Sequence, residues 1–196
     1  MGKNIAVFLD RDGTINEEVG YLDCLDKLKI IPAAYEAIRL INLSGMKAIV
    51  VTNQAGVARG FFSEEFLRQT HEILQAALQQ EKASIDKFYY CPHHPTEGTG
   101  TYLRNCNCRK PLPGMLLQAA DDLDIELGSS YMIGDTCRDM GTAKKAGVKG
   151  ILVRTGYGRE ELLEVGSDVA AADNKPDFVA EDILDAVKWI MKDRIQ

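Results

Sequence analysis

The feature that most limits what this chain can fold into is an alternation of short, β-branched apolar runs with longer segments of helical period. Residues 5–9, 48–51, 88–90, 131–133 and 151–153 are the apolar runs. They are too short for helices and lack the polar alternation of a sheet with one wet face, so they read as strands buried on both sides. Between the first two, Ala34, Ala37, Ile38 and Ile41 share one helical face, with Pro32 in the first turn and Gly45 as a stop. Ser63 reads as the N-cap of a second helix, with Glu64 and Glu65 near its positive end and Leu67, Thr70, Leu74, Ala77 and Leu78 on its inner face. Met115, Leu116, Ala119, Ala120 and Leu123 mark a third, a short helix ends near Gly147, and Ile183, Leu184, Val187, Ile190 and Met191 mark a closing one. Strands alternating with helices predict an α/β fold with a mostly parallel sheet covered on both faces. With 196 residues, 45% of them hydrophobic, the chain fits a single domain over 1–196 with small loop insertions and no large cap domain.

A parallel sheet places ligands at the carboxyl ends of its strands, so the residues after each run carry the chemistry. Asp10-Arg11-Asp12-Gly13-Thr14 follows the first, Thr52 and Asn53 the second, Cys91 the third, and Gly134-Asp135 the fourth. Of two carboxylates two residues apart, one can attack phosphorus and the other can serve as acid and base. Magnesium prefers hard oxygen ligands, and Asp10, Asp135 and the Asp12 backbone carbonyl suit it; the ion would also relieve repulsion among crowded carboxylates. Alone, Asp10-x-Asp12 reads equally well as an acidic turn; Asp135 and Lys110 tip the balance toward chemistry. The Thr52 hydroxyl and the Lys110 ammonium match the equatorial oxygens of a phosphoryl group. Asp139 can orient Lys110, or can be an ordinary acid at a helix start.

The longest irregular stretch, 91–113, holds three of the five cysteines. Cys91-Pro92-His93-His94 and Cys106-Asn107-Cys108 form a C-x-H…C-x-C pattern, the donor set of a closed, four-coordinate zinc site. By spacing, His93 and His94 are both candidates. Zinc would fold a 91–110 loop that lacks a core of its own, and Lys110, two residues past Cys108, would be positioned by it. Cys24 and Cys137 read as small apolar residues. A net charge of −6 excludes a basic nucleic-acid footprint. Neither a signal core nor a membrane-length apolar run is evident, so a cytoplasmic protein is expected. Without a long apolar stripe, a monomer is expected.

Asp10-Arg11-Asp12-Gly13-Thr14, Thr52, Lys110 and Gly134-Asp135-x-x-x-Asp139 resemble, in order, the four motifs of the haloacid dehalogenase superfamily. The segments from Thr52 to Gly60, Cys91 to Pro95 and Cys106 to Pro111 resemble its histidinol-phosphatase-like branch. The resemblance implies a Rossmann-like fold, with Asp10 as nucleophile and Asp12 as general acid and base. It further implies Thr52 and Lys110 on the transferring phosphoryl group and Asp10, Asp12 and Asp135 on magnesium. The branch's zinc ligands fall on Cys91, His93, Cys106 and Cys108. Its substrate contacts fall on Glu18, Val19, Gly20, Tyr21, Asn53, Gln54, Ala55 and Arg109, beside Thr52 and Lys110. The implied substrate is a small-molecule sugar phosphate, a heptose phosphorylated at carbons 1 and 7 that loses the 7-phosphate. A guanidinium fork such as Arg109 suits the second, non-reacting phosphate.

The chain departs from the branch at Thr136, where some members carry a substrate-touching lysine, and its Glu18–Tyr21 segment has an apolar second position. A histidinol-phosphate phosphatase shares the four motifs and the cysteine loop. A polynucleotide 3′-phosphatase is opposed by the negative charge and the lack of a G-x-x-x-x-G-K-[ST] loop. A catalytically inactive, zinc-stabilised binding protein has no need of the Asp10, Asp12, Lys110 and Asp135 quartet.

Overall fold

A computed structural model describes residues 2–165 and 174–195. These residues build a six-stranded sheet in the order β3-β2-β1-β4-β5-β6. The strands are β1 (Ala6–Leu9), β2 (Lys47–Asn53), β3 (Lys87–Cys91), β4 (Tyr131–Gly134), β5 (Lys149–Val153) and β6 (Phe178–Ala180). Every neighbouring pair is parallel; Val7 stands beside Ala48 on one side and Tyr131 on the other. The chain winds outward from β1 through β2 to β3, then returns to β4 on the other flank of β1 and winds the opposite way. That reversal opens a crevice beyond the carboxyl ends of β1 and β4, the topological switch point.

Burial on both faces explains why the strands read as unbroken apolar runs. In β1, Val7 and Leu9 join one core cluster with Ile38 and Ile41 of α1 (Pro32–Leu43), Leu74 and Leu78 of α2 (Glu64–Gln80), and Val187 and Ile190 of α6 (Ile183–Asp193). Ala6 and Phe8 join the other, with Met115, Leu116 and Ala119 of α3 (Gly114–Leu123) and Ala143 of α4 (Cys137–Ala146).

Local signals place the helices. Pro32 opens α1, and the Ser63 hydroxyl accepts from the Phe66 N–H at the start of α2. Gly147 ends α4 at φ 73, a left-handed position that glycine takes without a Cβ clash. Two elements escaped the sequence reading. Helix α5 (Gly158–Val165) is largely polar and has no apolar stripe. Strand β6 is three residues long, lies at the sheet edge and follows Pro176 closely. The expected strand over 48–51 stops short of the observed one because Thr52 and Asn53 are polar yet still paired with β3. Among the described residues, no helix is long and apolar enough to cross a membrane.

The orientation of α1 is testable by denaturant unfolding. Ile38 is fully buried, so Ile38→Ala should cost about 2–5 kcal/mol. Leu43, in the same helix but 76% exposed, should tolerate alanine within about 0.5 kcal/mol.

Candidate functional site

Strand β1 delivers Asp10 to the crevice, where its N–H continues the ladder by donating to the Ile133 carbonyl at 2.9 Å. The chain then turns tightly: the Arg11 carbonyl accepts from the N–H groups of Ile15 and Asn16 at 2.8 and 3.0 Å. Strand β4 delivers Asp135 alongside. Glycine is required at two points of its surroundings. A Cβ on Gly13 (φ 78) or on Gly156 (φ 55) would stand 2.1 Å from Asp135 Oδ2. The Tyr157 N–H donates to that same oxygen at 2.9 Å.

Lys110 enters from the end of the cysteine loop. Its Nζ lies 2.9 Å from Asp10 Oδ2 and 2.6 Å from Asp139 Oδ1, and all three side chains are nearly or fully buried. Asn53, at the end of β2, clasps the Lys110 backbone from both sides: its Oδ1 accepts the Lys110 N–H at 3.0 Å and its Nδ2 donates to the Lys110 carbonyl at 3.1 Å. Asp139 does both jobs the sequence allowed it. One oxygen pairs with Lys110, and the other accepts from the N–H and hydroxyl of Thr136 at the start of α4.

One ammonium does not balance the carboxylates gathered here. Burial pushes the Asp10 carboxyl up to about 7, against the pull of Lys110 and with the push of Asp139. Burial and then the Asp10 charge push Asp135 up to about 8. Carboxylate oxygens of Asp10, Asp135 and Asp139 lie within 4.8 Å of one another. Asp139 is fully buried behind Lys110 and outside the crevice lining, whereas Asp10 and Asp135 line the crevice as hard donors for a divalent cation. Burial also works to raise Asp12, but the Arg11 charge and donated hydrogen bonds from Arg11, Asn16 and Gln54 outweigh it and hold this carboxyl below its usual value.

The crevice forms a cavity of about 250 Å³. Besides the groups already described, Glu18, Gly20, Tyr21, Thr52, Asn53, Gln54, Ala55 and Arg109, which the sequence offered as substrate contacts, line it. Val19 lies outside the lining and is exposed. Gln54 faces inward as much as outward, donating to Thr52 Oγ1 at 2.9 Å and to Asp12 Oδ2 at 3.0 Å. Tyr21 packs edge-on against Phe61, with the Arg59 guanidinium over its ring. Thr136 is consumed by its bonds to Asp139. The cation on this side of the lining is instead Arg138, two residues on and exposed. Sequence reasoning missed it, together with Tyr157, since neither belongs to a motif; the departure at Thr136 was the available cue.

The cysteine loop closes on a second centre. Cys91 Sγ lies 3.0 Å from Cys108 Sγ and 3.4 Å from Cys106 Sγ, and His93 Nδ1 lies 3.3 Å from Cys108 Sγ. His94 turns away, its Nδ1 accepting from the Glu97 N–H at 2.9 Å. The contact between Cys91 and Cys108 holds the Cys108 thiol down to about 5 while pushing Cys91 far up. Three thiols so close can all ionise only with a cation among them, and sulfur with imidazole nitrogen is a donor set that zinc takes.

The HAD-hydrolase-like family model matches residues 107–186. The D-glycero-beta-D-manno-heptose-1,7-bisphosphate 7-phosphatase of Pasteurella multocida is 42% identical over 186 residues, covering 94% of this chain and 96% of that one. The enzyme of the same name from Escherichia coli K12 is 38% identical over 194 residues, covering 98% and 97%. Among solved structures, the D,D-heptose 1,7-bisphosphate phosphatase from B. bronchiseptica, complexed with magnesium and phosphate, superimposes with a TM-score of 0.84 at 31% identity. That match covers 96% of this chain and 99% of the other.

The raised carboxyls fix the sign of a pH effect. Their folded pKa values exceed the ordinary 3.8, so the metal-free protein should lose stability at this site as pH rises from there through about 7 to 8. Magnesium should flatten that decline in thermal melts. At a hundredfold over its Kd it should raise Tm by roughly 5–10 °C.

Proposed function

The chain belongs to the family of D-glycero-β-D-manno-heptose-1,7-bisphosphate 7-phosphatases, and from that membership we propose that it is a magnesium-dependent phosphomonoesterase. It removes the 7-phosphate of the heptose bisphosphate through an aspartyl-phosphate, with the β anomer as substrate. The observation that carries this reading is the Lys110 ammonium, buried between Asp10 and Asp139 and facing Asp135 across one crevice. A cation fixed beside a carboxylate nucleophile is what phosphoryl transfer demands of a protein.

In the first half-reaction an Asp10 oxygen attacks the phosphorus of the 7-phosphate. The bond from phosphorus to the carbon-7 oxygen breaks, and that oxygen takes the proton carried by Asp12. In the second, the Asp12 carboxylate takes a proton from water, the water oxygen attacks phosphorus, and Asp10 is released with inorganic phosphate. Thr52 and Lys110 donate to the transferring phosphoryl oxygens, and Asp139 holds Lys110 in place. Asp10, the Asp12 carbonyl and Asp135 hold magnesium, which when bound supplies charge neutralisation to the phosphoryl group.

Arg109 takes the 1-phosphate, while Glu18, Gly20, Tyr21, Asn53, Gln54 and Ala55 contact the sugar. Cys91, His93, Cys106 and Cys108 hold a structural zinc that sets the 91–110 loop. The enzyme is a cytoplasmic monomer.

Phosphate release with magnesium tests the reading directly. Turnover of heptose 1,7-bisphosphate should exceed that of histidinol phosphate, whose cationic amine meets the Arg109 side of the cavity. Asp10→Asn should lower kcat on the order of a thousandfold or more. Arg109→Ala should raise KM for the bisphosphate about tenfold or more while leaving a heptose 7-monophosphate nearly unaffected. Faster release from histidinol phosphate would keep the mechanism and overturn the substrate.

A further inference from the structure

Arg11 is the largest side chain fully withdrawn from solvent, at 1% exposure, and the scheme above leaves it without a task. Its backbone N–H donates to Asp10 Oδ1 at 2.7 Å. Its guanidinium forks onto Asp12: Nε to Oδ1 at 3.1 Å, and Nη2 to Oδ1 at 2.9 Å and Oδ2 at 2.8 Å. The remaining nitrogen, Nη1, meets His71 Nε2 at 3.3 Å. His71 sits on α2, is buried, and stacks on Phe88 of β3 with ring centroids 4.6 Å apart and planes 17° from parallel. Burial and then the Arg11 charge push its imidazole down to about 3, so the ring stays neutral and Nε2 keeps a lone pair for the guanidinium.

Resting on the phosphatase reading, we propose that His71 is a positioning residue which, through Arg11, holds the Asp12 carboxyl in the orientation from which it exchanges protons with the leaving group and water. An arginine side chain is long, and a fork has directional value only when its plane is fixed. The stack on Phe88 fixes the imidazole, the imidazole accepts from Nη1, and the guanidinium plane is then set at both ends. Without that acceptor, Nη1 loses a buried partner and tilts to find another. The tilt carries Asp12 with it, because both Asp12 oxygens accept from the same fork.

In the first half-reaction, which kcat/KM reports, this chain of contacts predicts a defect confined to acid catalysis. A sugar alkoxide leaves poorly without a proton, whereas p-nitrophenolate leaves unaided. The test is kcat and KM, with magnesium, on heptose 1,7-bisphosphate and on p-nitrophenyl phosphate. His71→Phe removes the acceptor and keeps the aromatic stack; His71→Leu makes the same deletion if that variant does not fold. The expected result is a kcat/KM lower by about tenfold or more on the sugar ester and within about threefold of wild type on the aryl ester, since the later attack of water on the aspartyl-phosphate is common to both esters and enters kcat alone. His71→Gln, which restores an acceptor at similar reach, should recover most of the loss. Equal losses of kcat/KM on the two esters, no loss on either, or no recovery with glutamine would overturn the proposal. A wild-type protein idle on both esters overturns the phosphatase reading, and this inference with it.

Discussion

The structure turns on one buried ammonium. Lys110 would be costly to bury alone, since burial works to strip its proton; the charges of Asp10 and Asp139 outweigh that and raise its pKa. The ion cluster joins three parts of the chain that share no secondary structure: the end of β1, the first turn of α4 and the end of the cysteine loop. Asn53 adds the end of β2 through the Lys110 backbone. Removing Lys110 leaves Asp10 and Asp139 without their counter-charge in a dry place, so stability and the arrangement of the site both depend on it.

The same cluster leaves negative charge in excess. Asp10 and Asp135 are held apart from water and close to each other, so they resist ionising together in the metal-free protein. A divalent cation would resolve the conflict, and Lys110 and Thr52 line the same crevice as the donors proposed for the phosphoryl group. Asp12 is kept out of this crowd by Arg11, Asn16 and Gln54, which hold its charge separately. Two aspartates two residues apart thus acquire opposite pKa shifts in the metal-free protein: burial and nearby carboxylates raise Asp10, while Arg11, Asn16 and Gln54 lower Asp12 against its burial.

Much of this was legible in the residues. The β1, β4 and α1 boundaries follow from apolar runs and a proline, because burial on both sheet faces leaves an unmistakable pattern. Asp10, Asp135, Lys110 and the Cys91–Cys108 set were legible because motif spacing reports strand ends and brings sulfur and imidazole donors together. Arg138, Tyr157 and His71 were not, because each reaches the site from a helix or loop through tertiary packing that no local pattern encodes. Gln54 and Asn53 were anticipated as substrate contacts, yet both also bond inward, to Asp12 and to Lys110. Sequence alone does not distinguish a polar residue that faces a ligand from one that braces its neighbour.

The cysteine loop is thereby an instrument of the catalytic charge: the proposed zinc sets residues 91–110, and the loop sets Lys110. The most direct measurement is the inhibition constant of inorganic phosphate before and after zinc is removed with a chelator and magnesium is restored, with circular dichroism confirming that the sheet persists. Weakening of phosphate inhibition by about tenfold or more is the predicted result. Unchanged phosphate affinity in zinc-free, folded protein would contradict the coupling of the two centres.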